Sequence, residues 1–590
     1  MRAKSELTNG YVVYAVSGTN IVSFAIDFRL ANTKGLLGFT IERIDIKTGN
    51  RNYMEGYKTF EKLTLDGATE KPLNSYAHPI QSCIWNDFTC DTATQYQYLF
   101  YPLKGKPDQL DRSISPVSIT IITESIFTNQ QHDVFFNRGV ASSQAYSRKF
   151  SNRSPFEISN PDVQKEAFQW LGRDLETAIL RFINNAQNGE TLLGCFYEFY
   201  YKPVALAFKK ALTDGVSVKL IVDAKNNGYT DKKGETHASV PKMENLKTIC
   251  ETGIPDEAVI KREARKNALQ HNKFIVLLDK SGKAKEVWTG SVNMTIGGIF
   301  GQANVGHWIR DCEIATRYLN YWKLLSTDPG AKDTDNKAVK LKKNSNYKKA
   351  VTKLSDTFTV SEPFISKGVS VVFSPQTDLS PLQTYADMFN TAKNLACITF
   401  PFGINNYFKK ALEHNTTADQ LSLLLLDKPD TFKKDIKSFT KLGARQNVYQ
   451  AWGAAINNAL YQWTKEVTTK ELGLNVFVPY IHAKLMLVDP LSDDPIIISG
   501  SANFSNASTN INDENMLLIR GNKRVADIYF TEFNRLFFHY YFRDFYDDSE
   551  KPDSCKNNRL FLTPDDSWLQ QFEQGRLGYK KMMIYTEMAI

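Results

Sequence analysis

Hydrophobic and polar positions follow one period in the first part of the chain and another in the rest. Up to about residue 125, apolar and polar residues alternate in short segments between turn residues, as in IVSFAIDF, GFTIERIDI, QYQYLFYPL and SPVSITIITE. Alternation with a period of two is typical of antiparallel strands that bury one face. We therefore predict an all-β sandwich over residues 1–125.

From residue 161 the apolar positions recur every three or four residues instead. Leu175, Ala178, Ile179, Phe182 and Ile183 form such a helical stripe. The apolar strand TLLGCFYEF follows, then a helix through FKKAL and the strand VSVKLIVDA. Strand, helix and strand in this order predict an α/β unit with a parallel or mixed sheet. The segments LACITFPF, a second FKKAL and LSLLLLD repeat this order later in the chain.

The second half of the chain repeats the first at nearly constant spacing. FKKAL occurs at Phe208–Leu212 and again 200 residues later at Phe408–Leu412. A His-x-Lys sequence at His271 recurs 211 residues later at His482, and a Gly-Ser-x-Asn sequence recurs after 210 residues. An internal duplication explains this agreement.

Each copy places polar residues with chemical potential inside apolar segments. In ALQHNKFIVLLD and VPYIHAKLMLVD a histidine and a lysine stand two positions apart, so they leave a strand on the same face. The eight polar residues of the two copies are His271, Lys273, Ser291, Asn293, His482, Lys484, Ser501 and Asn503. Lysines repel a metal cation, whereas lysines, amides and hydroxyls together can cradle a phosphate. Because one imidazole can attack phosphorus while the other protonates the leaving oxygen, we predict a shared, metal-independent site for phosphodiester transfer.

Composition excludes several other classes of protein. No apolar run is long enough to span a bilayer and no secretory signal is visible, so we expect a cytoplasmic protein. The seven cysteines are scattered and form no C-x-x-C pair, which predicts free thiols rather than disulfides or a structural zinc site. No phosphate-binding loop of the nucleotide-hydrolysing type is present.

The second copy has the sequence H-x-K-x4-D from His482 to Asp489, and this sequence, with the two Gly-Ser-x-Asn sequences, resembles the signatures of the phospholipase D superfamily. The resemblance covers roughly residues 160–550 and implies two α/β repeats that form one catalytic unit about a pseudo-twofold axis. It also implies that His271 and His482 act as nucleophile and general acid through a phosphohistidine, with no metal and no cofactor. The site residues that it implies are the eight named above together with Asp279, Asp489 and Glu514.

The first copy departs from this pattern in the position of its acid. Asp279 comes one residue late, and Gly290 lies 19 residues after His271 where the second copy has 18. One inserted residue, a β-bulge before Asp279, would account for both differences.

A second departure concerns the acid that orients a histidine in this family. Glu514 follows Ser501 by thirteen residues, but the equivalent residue of the first copy is Asn304. We therefore expect Glu514 to orient His482 and expect His271 to lack a carboxylate, which favours His482 as the attacking histidine.

The N-terminal sequence TATQYQYLFYPLKG, together with Trp85, resembles the later strands and tyrosine corner of a fibronectin type III-like sandwich. Such a module would bind a protein or a second ligand. The predicted boundaries are 1–125 for the sandwich, 126–160 for a linker, 161–325 for the first half, 326–365 for a lysine-rich connector, 366–550 for the second half and 551–590 for a C-terminal tail.

Basic segments favour nucleic acid, DNA or RNA, as the substrate. The formal net charge is +8, and the stretch KREARK at residues 261–266 precedes the first motif. For this stretch, binding to a polyanion and a solvated helix face are equally good interpretations. The eight lysines between Lys332 and Lys353 favour a solvated connector over a polyanion-binding arm.

An intracellular phospholipase D is the alternative function. Its lipid contact would be the aromatic segment FTEFNRLFFHYYFRDF, although Phe533, Phe537 and Tyr540 fall at helical spacing, which favours a core helix. A nucleic-acid binder without activity is disfavoured because both copies retain each signature His, Lys, Ser and Asn. A homo-oligomer is compatible with the sequence.

Overall fold

The structure is a computed structural model that describes residues 1–56, 58–61, 73–139, 146, 149–230, 234–414, 420–427, 447–452, 474, 481–547 and 561–590. Within these residues the chain forms a β-rich N-terminal region and two mixed α/β halves. The prediction of a β-rich N-terminal region followed by two α/β halves is therefore confirmed.

Two antiparallel sheets form the N-terminal region. Strands β1 to β9 are Arg2–Lys4, Tyr11–Ser17, Val22–Phe28, Gly38–Asp45, Arg51–Tyr53, Ile84–Asp87, Gln95–Lys106, Gln109–Asp111 and Val117–Ile122. One sheet has the order β1-β2-β3-β6, and the other has the order β8-β7-β4-β5 with β9 also paired to β7. Phe24 packs against Tyr98 and Phe100, with ring centroids 4.7 and 5.3 Å apart. The alternation seen in the sequence therefore places one set of side chains in the core.

Each half is built on a seven-stranded mixed sheet. Strands β10 to β16 are His132–Phe136, Thr191–Phe196, Ser217–Asp223, Val259–Arg262, Lys273–Leu278, Ala284–Gly290 and Val305–Ile309. Strands β17 to β23 are Gly368–Ser374, Leu395–Phe400, Leu421–Leu426, Val448–Trp452, Leu485–Val488, Ile496–Gly500 and Glu514–Arg520. The order is β10-β16-β15-β14-β11-β12-β13 in the first sheet and β17-β23-β22-β21-β18-β19-β20 in the second. The duplication therefore extends to the topology, because equivalent strands occupy equivalent places.

Helices connect the strands and fill the space between the sheets. Helices α1 to α6 are Pro161–Gly172, Leu175–Asn184, Lys202–Thr213, Val240–Thr252, Cys312–Ser326 and Lys337–Leu354. Helices α7 to α11 are Ser380–Asn390, Asn406–His414, Asn506–Asn510, Lys523–Asp547 and Leu577–Thr586, and Leu30–Thr33 is a further single turn. Asn160 and Asp311 accept hydrogen bonds from the first free N–H groups of α1 and α5, which explains where these helices begin.

Helices α5 and α10 follow the last strand of their halves and lie in the centre of the molecule. In α5, Tyr321 stacks on Phe373 of the second sheet at 4.3 Å, and Trp322 donates a hydrogen bond to the Gly194 carbonyl of the first sheet at 2.9 Å. The aromatic residues of α10 at helical spacing are fully buried: Phe533, Phe537 and Tyr540. These three residues are therefore core, as their spacing predicts.

Two segments outside the predicted domains belong to the folded units. His132–Phe136, within the predicted linker, pairs with β16 at the edge of the first sheet. The predicted tail packs on the N-terminal region, because Trp568 donates to the Leu36 carbonyl at 2.8 Å and Arg2 donates to the Ala589 carbonyl at 2.8 Å. Residues 140–145 and 147–148 of the predicted linker, 548–550 of the predicted second half and 551–560 of the predicted tail lie outside the described residues.

The lysine-rich connector contains helix α6 rather than extended chain. Asn336 accepts a hydrogen bond from the Val339 N–H and so caps the helix, while Tyr347 and Val351 are buried. The helix therefore packs through one face and presents lysines on the others. Among the described residues, no helix is long and apolar enough to cross a membrane.

Candidate active site

The two histidines meet between the halves. His271 precedes β14 and His482 precedes β21, and their imidazole centroids are 6.3 Å apart. Both side chains are almost completely buried, as are Lys273 and Lys484. The structure therefore brings the two His-x-Lys sequences into one place, as the duplication predicts.

Main-chain pairing between the halves produces this proximity. Gln270 forms a parallel bridge with Asp513, and the pseudo-equivalent bridge joins Ile481 to Ala303. As a result the His271 N–H donates to the Asp513 carbonyl at 2.9 Å, and the His482 N–H donates to the Ala303 carbonyl at 3.1 Å. Each histidine is thus held by the segment that follows the Gly-Ser-x-Asn sequence of the other half.

The crossing of segments decides which side chain orients which imidazole. Glu514 Oε2 lies 2.8 Å from Nδ1 of His271, and Asn304 Oδ1 lies 2.9 Å from Nδ1 of His482. The prediction that Glu514 orients His482 is therefore wrong. His271 has the carboxylate, because Glu514 follows directly on the residue that pairs with the strand of His271.

The two serines support these orienting residues instead of cradling a phosphate. Ser501 Oγ donates to Glu514 Oε2 at 2.8 Å, and Ser291 Oγ donates to Asn304 Oδ1 at 2.7 Å. Both hydroxyls are fully buried. The predicted direct role of the serines on phosphate oxygens is therefore wrong, because each hydroxyl donates within the protein.

These contacts determine the tautomer of His482. Asn304 Nδ2 donates to the Gly298 carbonyl at 2.8 Å, so Oδ1 is the amide atom that faces the ring. A carbonyl oxygen can only accept, and Nδ1 of His482 must therefore carry the proton. Nε2 of the neutral ring is then the basic nitrogen.

Burial and positive charge set the protonation of the site. Burial lowers the pKa of Lys273 to about 8, against the opposing charges of Glu514 and Glu198, and lowers the pKa of Lys484 well below its ordinary value. Each lysine Nζ donates to the carbonyl of the histidine two residues before it. Burial and these lysines lower the pKa values of His271 and His482 well below the ordinary value. Both imidazoles are therefore neutral near pH 7 in the free protein.

The pKa of Glu514 is also shifted from its ordinary value. Burial raises its pKa to about 7, although Lys273 and the hydroxyls of Ser501 and Ser508 favour its charged form. The charge beside His271 therefore changes near neutral pH.

Sequence reasoning missed Glu198. It lies just after β11, half-buried, and accepts hydrogen bonds from Asn293 Nδ2 and from the Tyr200 hydroxyl, the latter at 3.2 Å. Burial raises its pKa, while the charge of Lys273 lowers it. An acidic residue directly after an apolar strand was the available signal.

Asp279 and Asp489 lie away from the histidines. Each follows the far end of its strand, roughly 25 Å from the histidine that precedes it. Asp489 accepts hydrogen bonds from the N–H groups at the start of β18, whereas Asp279 accepts only from its own turn, at Ser281 and Lys283. Neither carboxylate therefore belongs with the residues that surround the two imidazoles.

The irregularity predicted before Asp279 is present, but on the facing strand. Leu277 pairs with Glu286 and Leu278 pairs with Ala284, so Lys285 of β15 is the extra residue. It accounts for the longer spacing to the Gly-Ser-x-Asn sequence. Because it comes after Asp279, it does not make Asp279 the equivalent of Asp489.

The stretch KREARK is neither a helix face nor an open basic patch. Arg262 and Arg265 are buried and pair with Asp513 at 3.0 and 2.7 Å, and Arg262 also pairs with Asp328 at 2.6 Å. Burial raises the pKa of Asp513, but these guanidinium groups and Lys225 hold it at about 2. Both predicted roles are therefore wrong for the two arginines, which brace the residue that pairs with the strand of His271.

The geometry suits acid–base and nucleophilic chemistry on an anion. Among the described residues no cluster of three or more His, Cys, Asp or Glu side chains could hold a metal ion.

Residues 179–325 and 398–537 match a family model described as "Cardiolipin synthase, PLD-like domain". Each half therefore contains a segment that is similar to a phospholipase D-like domain.

Several solved structures are similar to parts of this chain at low sequence identity. Phosphatidylserine synthase of Haemophilus influenzae Rd KW20 is 11% identical, with 70% of this chain and 93% of that chain covered and a TM-score of 0.43. The phospholipase D family member Nuc of Salmonella typhimurium is 22% identical, with 25% and 84% covered and a TM-score of 0.19. NucT of Helicobacter pylori is 14% identical, with 28% and 94% covered and a TM-score of 0.22. No curated protein sequence matches the chain.

Proposed function

We propose that the protein is a metal-independent phosphodiesterase in which His271 attacks phosphorus and His482 protonates the leaving oxygen. The observation that carries this proposal is the pair of buried imidazoles, 6.3 Å apart, with each Nδ1 held by a residue of the opposite half. Fixing Nδ1 directs Nε2 of each ring to the reaction.

The proposed reaction has two steps. First, Nε2 of His271 bonds to phosphorus, the bond from phosphorus to the leaving oxygen breaks, and that oxygen takes the Nε2 proton of His482. In the second step His482 removes a proton from water, the water oxygen bonds to phosphorus, and the bond from phosphorus to His271 breaks. The enzyme returns to its starting state and one phosphodiester bond is hydrolysed.

Charge favours His271 as the nucleophile. Attack places positive charge on the imidazole, which the carboxylate of Glu514 stabilises and a neutral amide does not. His482 needs a proton before the first step. The arriving phosphodiester brings a negative charge between Lys273 and Lys484, which offsets the lysine charges that depress the pKa of His482.

Helix α6 supports nucleic acid as the substrate. It contains seven lysines and no acidic residue. Lys342, Lys349 and Lys353 are exposed and fall on one face, because they are separated by seven and four residues. Tyr347 anchors the opposite face by donating to Asp513 at 2.9 Å. A fixed row of lysines suits the regular phosphates of a nucleic acid.

Phospholipid is the second candidate substrate, because the matched family model carries the description of a cardiolipin synthase. We further propose that the N-terminal region is a fibronectin type III-like module for a protein or second ligand. Its support is the hydroxyl of Tyr96, which accepts from the Asp91 N–H at 2.9 Å, five residues upstream.

The proposal is tested with purified protein and the reporter methyl p-nitrophenyl phosphate in the presence of EDTA. We expect hydrolysis to continue unchanged, because lysines and histidines supply the charge and proton transfer. Complete loss in EDTA with recovery on addition of magnesium or zinc contradicts the mechanism. DNA, RNA and phosphatidylglycerol vesicles, assayed in the same buffer, rank the substrate classes.

A further inference from the structure

Besides Glu514 and Asn304, the two halves differ at a second pair of equivalent positions beside the site. Strands β11 and β18 end at Phe196 and Phe400, next to the strands that follow His271 and His482. Two residues further on, the first half has Glu198 and the second half has Phe402. The pseudo-symmetry of the site is therefore broken in charge and in shape.

Glu198 fills the side of the site that belongs to the first half. Its half-buried carboxylate accepts a hydrogen bond from Asn293, the asparagine of the first Gly-Ser-x-Asn sequence. A negative charge held at this position disfavours a second phosphate or any other anionic group there.

The side that belongs to the second half has a cavity. It has a volume of about 280 Å³ and is lined by Phe402, Asn405, Lys409 and Asn503 among others. Phe400 and Phe504 form part of its lining, and Phe408 packs against these two rings at 5.2 and 5.6 Å. Phe402 itself is 64% exposed. The cavity thus combines an aromatic lining, an accessible aromatic ring, amides and one cationic side chain.

We propose that this cavity binds the base of the nucleoside that leaves during the reaction. This inference rests on the proposed function and adds a subsite to it. A flat base can stack on Phe402, and the amides of Asn405 and Asn503 can meet its polar edges. The volume is close to the lower end of small-ligand sites, about 300 Å³, and so suits one base rather than several.

The position of the cavity assigns it to the leaving group. His271 attacks from the first half, so the leaving oxygen lies on the opposite side of phosphorus, beside His482 of the second half. Asn503 belongs to that same half and lines the cavity. An acyl chain is a poorer occupant, because it would cover the polar side chains of the lining without forming hydrogen bonds to them.

The experiment uses full-length protein and three dinucleoside monophosphates: thymidylyl-thymidine and its two analogues that lack one base. We expect kcat/KM to fall about tenfold when the leaving nucleoside lacks its base and to change little for the other analogue. Phe402→Ala should lower kcat/KM for thymidylyl-thymidine by about tenfold, with no further loss for the sensitive analogue, because both changes remove the same contact. Phe402→Trp should retain activity.

Phe156→Ala is the matched control, since Phe156 is a half-exposed phenylalanine outside the site that packs on Phe168 of α1. Equal rates for all three dinucleotides, or a Phe402→Ala loss that adds to the loss of the base, overturns the inference. So does impaired turnover of phosphatidylglycerol vesicles by Phe402→Ala when the dinucleotides are not hydrolysed. If the dinucleotides are not hydrolysed but methyl p-nitrophenyl phosphate is still cleaved in EDTA, the result contradicts the base subsite and supports the proposed phosphodiesterase chemistry.

Discussion

Glu514 of the second half lies 2.8 Å from Nδ1 of His271 in the first half. The reciprocal contact joins Asn304 of the first half to His482 of the second at 2.9 Å. One imidazole therefore has a carboxylate partner and the other has a neutral amide. Neither half holds a complete site by itself, because each supplies the residue that orients the histidine of the other.

Only one of the two histidine variants should accumulate a covalent intermediate. His482→Ala keeps the attacking histidine but lacks the acid for the leaving group, so we expect acid quenching to recover phosphoenzyme on His271 with a labelled substrate that has a good leaving group. His271→Ala should yield none. Each single change should lower turnover by about 10²–10⁴-fold. The double variant should lose little more turnover than either single variant.

His237→Ala serves as the control for these variants, because His237 lies outside the site. Phosphoenzyme in His271→Ala alone would reverse the roles of the two histidines. Losses that multiply in the double variant would indicate two independent sites.

The charge of Glu514 should act through His271 alone. Glu514→Gln keeps the size of the side chain and removes the charge, and we expect kcat to fall roughly 10²-fold. In a double-mutant cycle this loss should vanish in the His271→Ala background and persist in the His482→Ala background. The same loss in both backgrounds would indicate a general structural role for Glu514.

Asn304→Asp is the matched change on the other side of the site. A carboxylate beside His482 should raise the pKa of that imidazole, because it stabilises the imidazolium. We expect the pH optimum of kcat to move upward without loss of the folded protein, measured by activity profiles and thermal unfolding. An unchanged profile would contradict the contact between Asn304 and His482.

The pH profile of kcat/KM should be bell-shaped with limbs near pH 7 and pH 8. The pKa of Glu514 is raised to about 7, so below that pH it is protonated and no longer stabilises the positive charge on His271. The pKa of Lys273 is lowered to about 8, so above that pH it loses the charge that binds phosphate. Glu514→Gln should remove the acidic limb, and Lys273→Arg should move the alkaline limb upward because arginine stays charged. A flat profile from pH 5 to 9 contradicts both assignments.

The exposed face of α6 should bind nucleic acid without taking part in the reaction. Replacing Lys342, Lys349 and Lys353 by alanine should weaken binding to DNA or RNA. It should also make the slope of log binding constant against log salt concentration shallower by about 0.7–0.9 per lost phosphate contact. Hydrolysis of methyl p-nitrophenyl phosphate should stay unchanged, because the face lies opposite the side anchored by Tyr347.

The control for this prediction carries the same loss of charge elsewhere. Lys34, Lys47 and Lys106 are exposed in the N-terminal region, and their replacement by alanine should leave binding and salt dependence as they are. Equal weakening in the two triple variants would show a response to net charge rather than binding at α6.

Much of the architecture follows from local pattern. Alternation predicted the N-terminal strands, the helical stripe predicted the buried face of α2, and the spacing of Phe533 and Phe537 predicted their burial in α10. The duplication predicted that His271 and His482 meet. These predictions hold because the side-chain period of a strand or helix is a property of neighbouring residues, and because two copies of one sequence adopt one fold.

The tertiary structure decided how the two copies exchange residues. Residues 271 and 514 are far apart in the chain, and their contact arises only when Gln270 pairs with Asp513. Sequence proximity pointed to His482 as the partner of Glu514, because that pair lies within one copy. Only the main-chain pairing between halves could show the exchange.

Burial of charge was equally invisible in the sequence. Arg262 and Arg265 lie close to Lys261 in a stretch whose sequence predicts solvated or polyanion-binding side chains. Both arginines are instead buried against Asp513. Local sequence patterns specified which residues the two copies contribute and where their strands and helices lie. The folded structure decided which charges are buried and which imidazole receives the carboxylate, because both depend on partners brought together from distant parts of the chain.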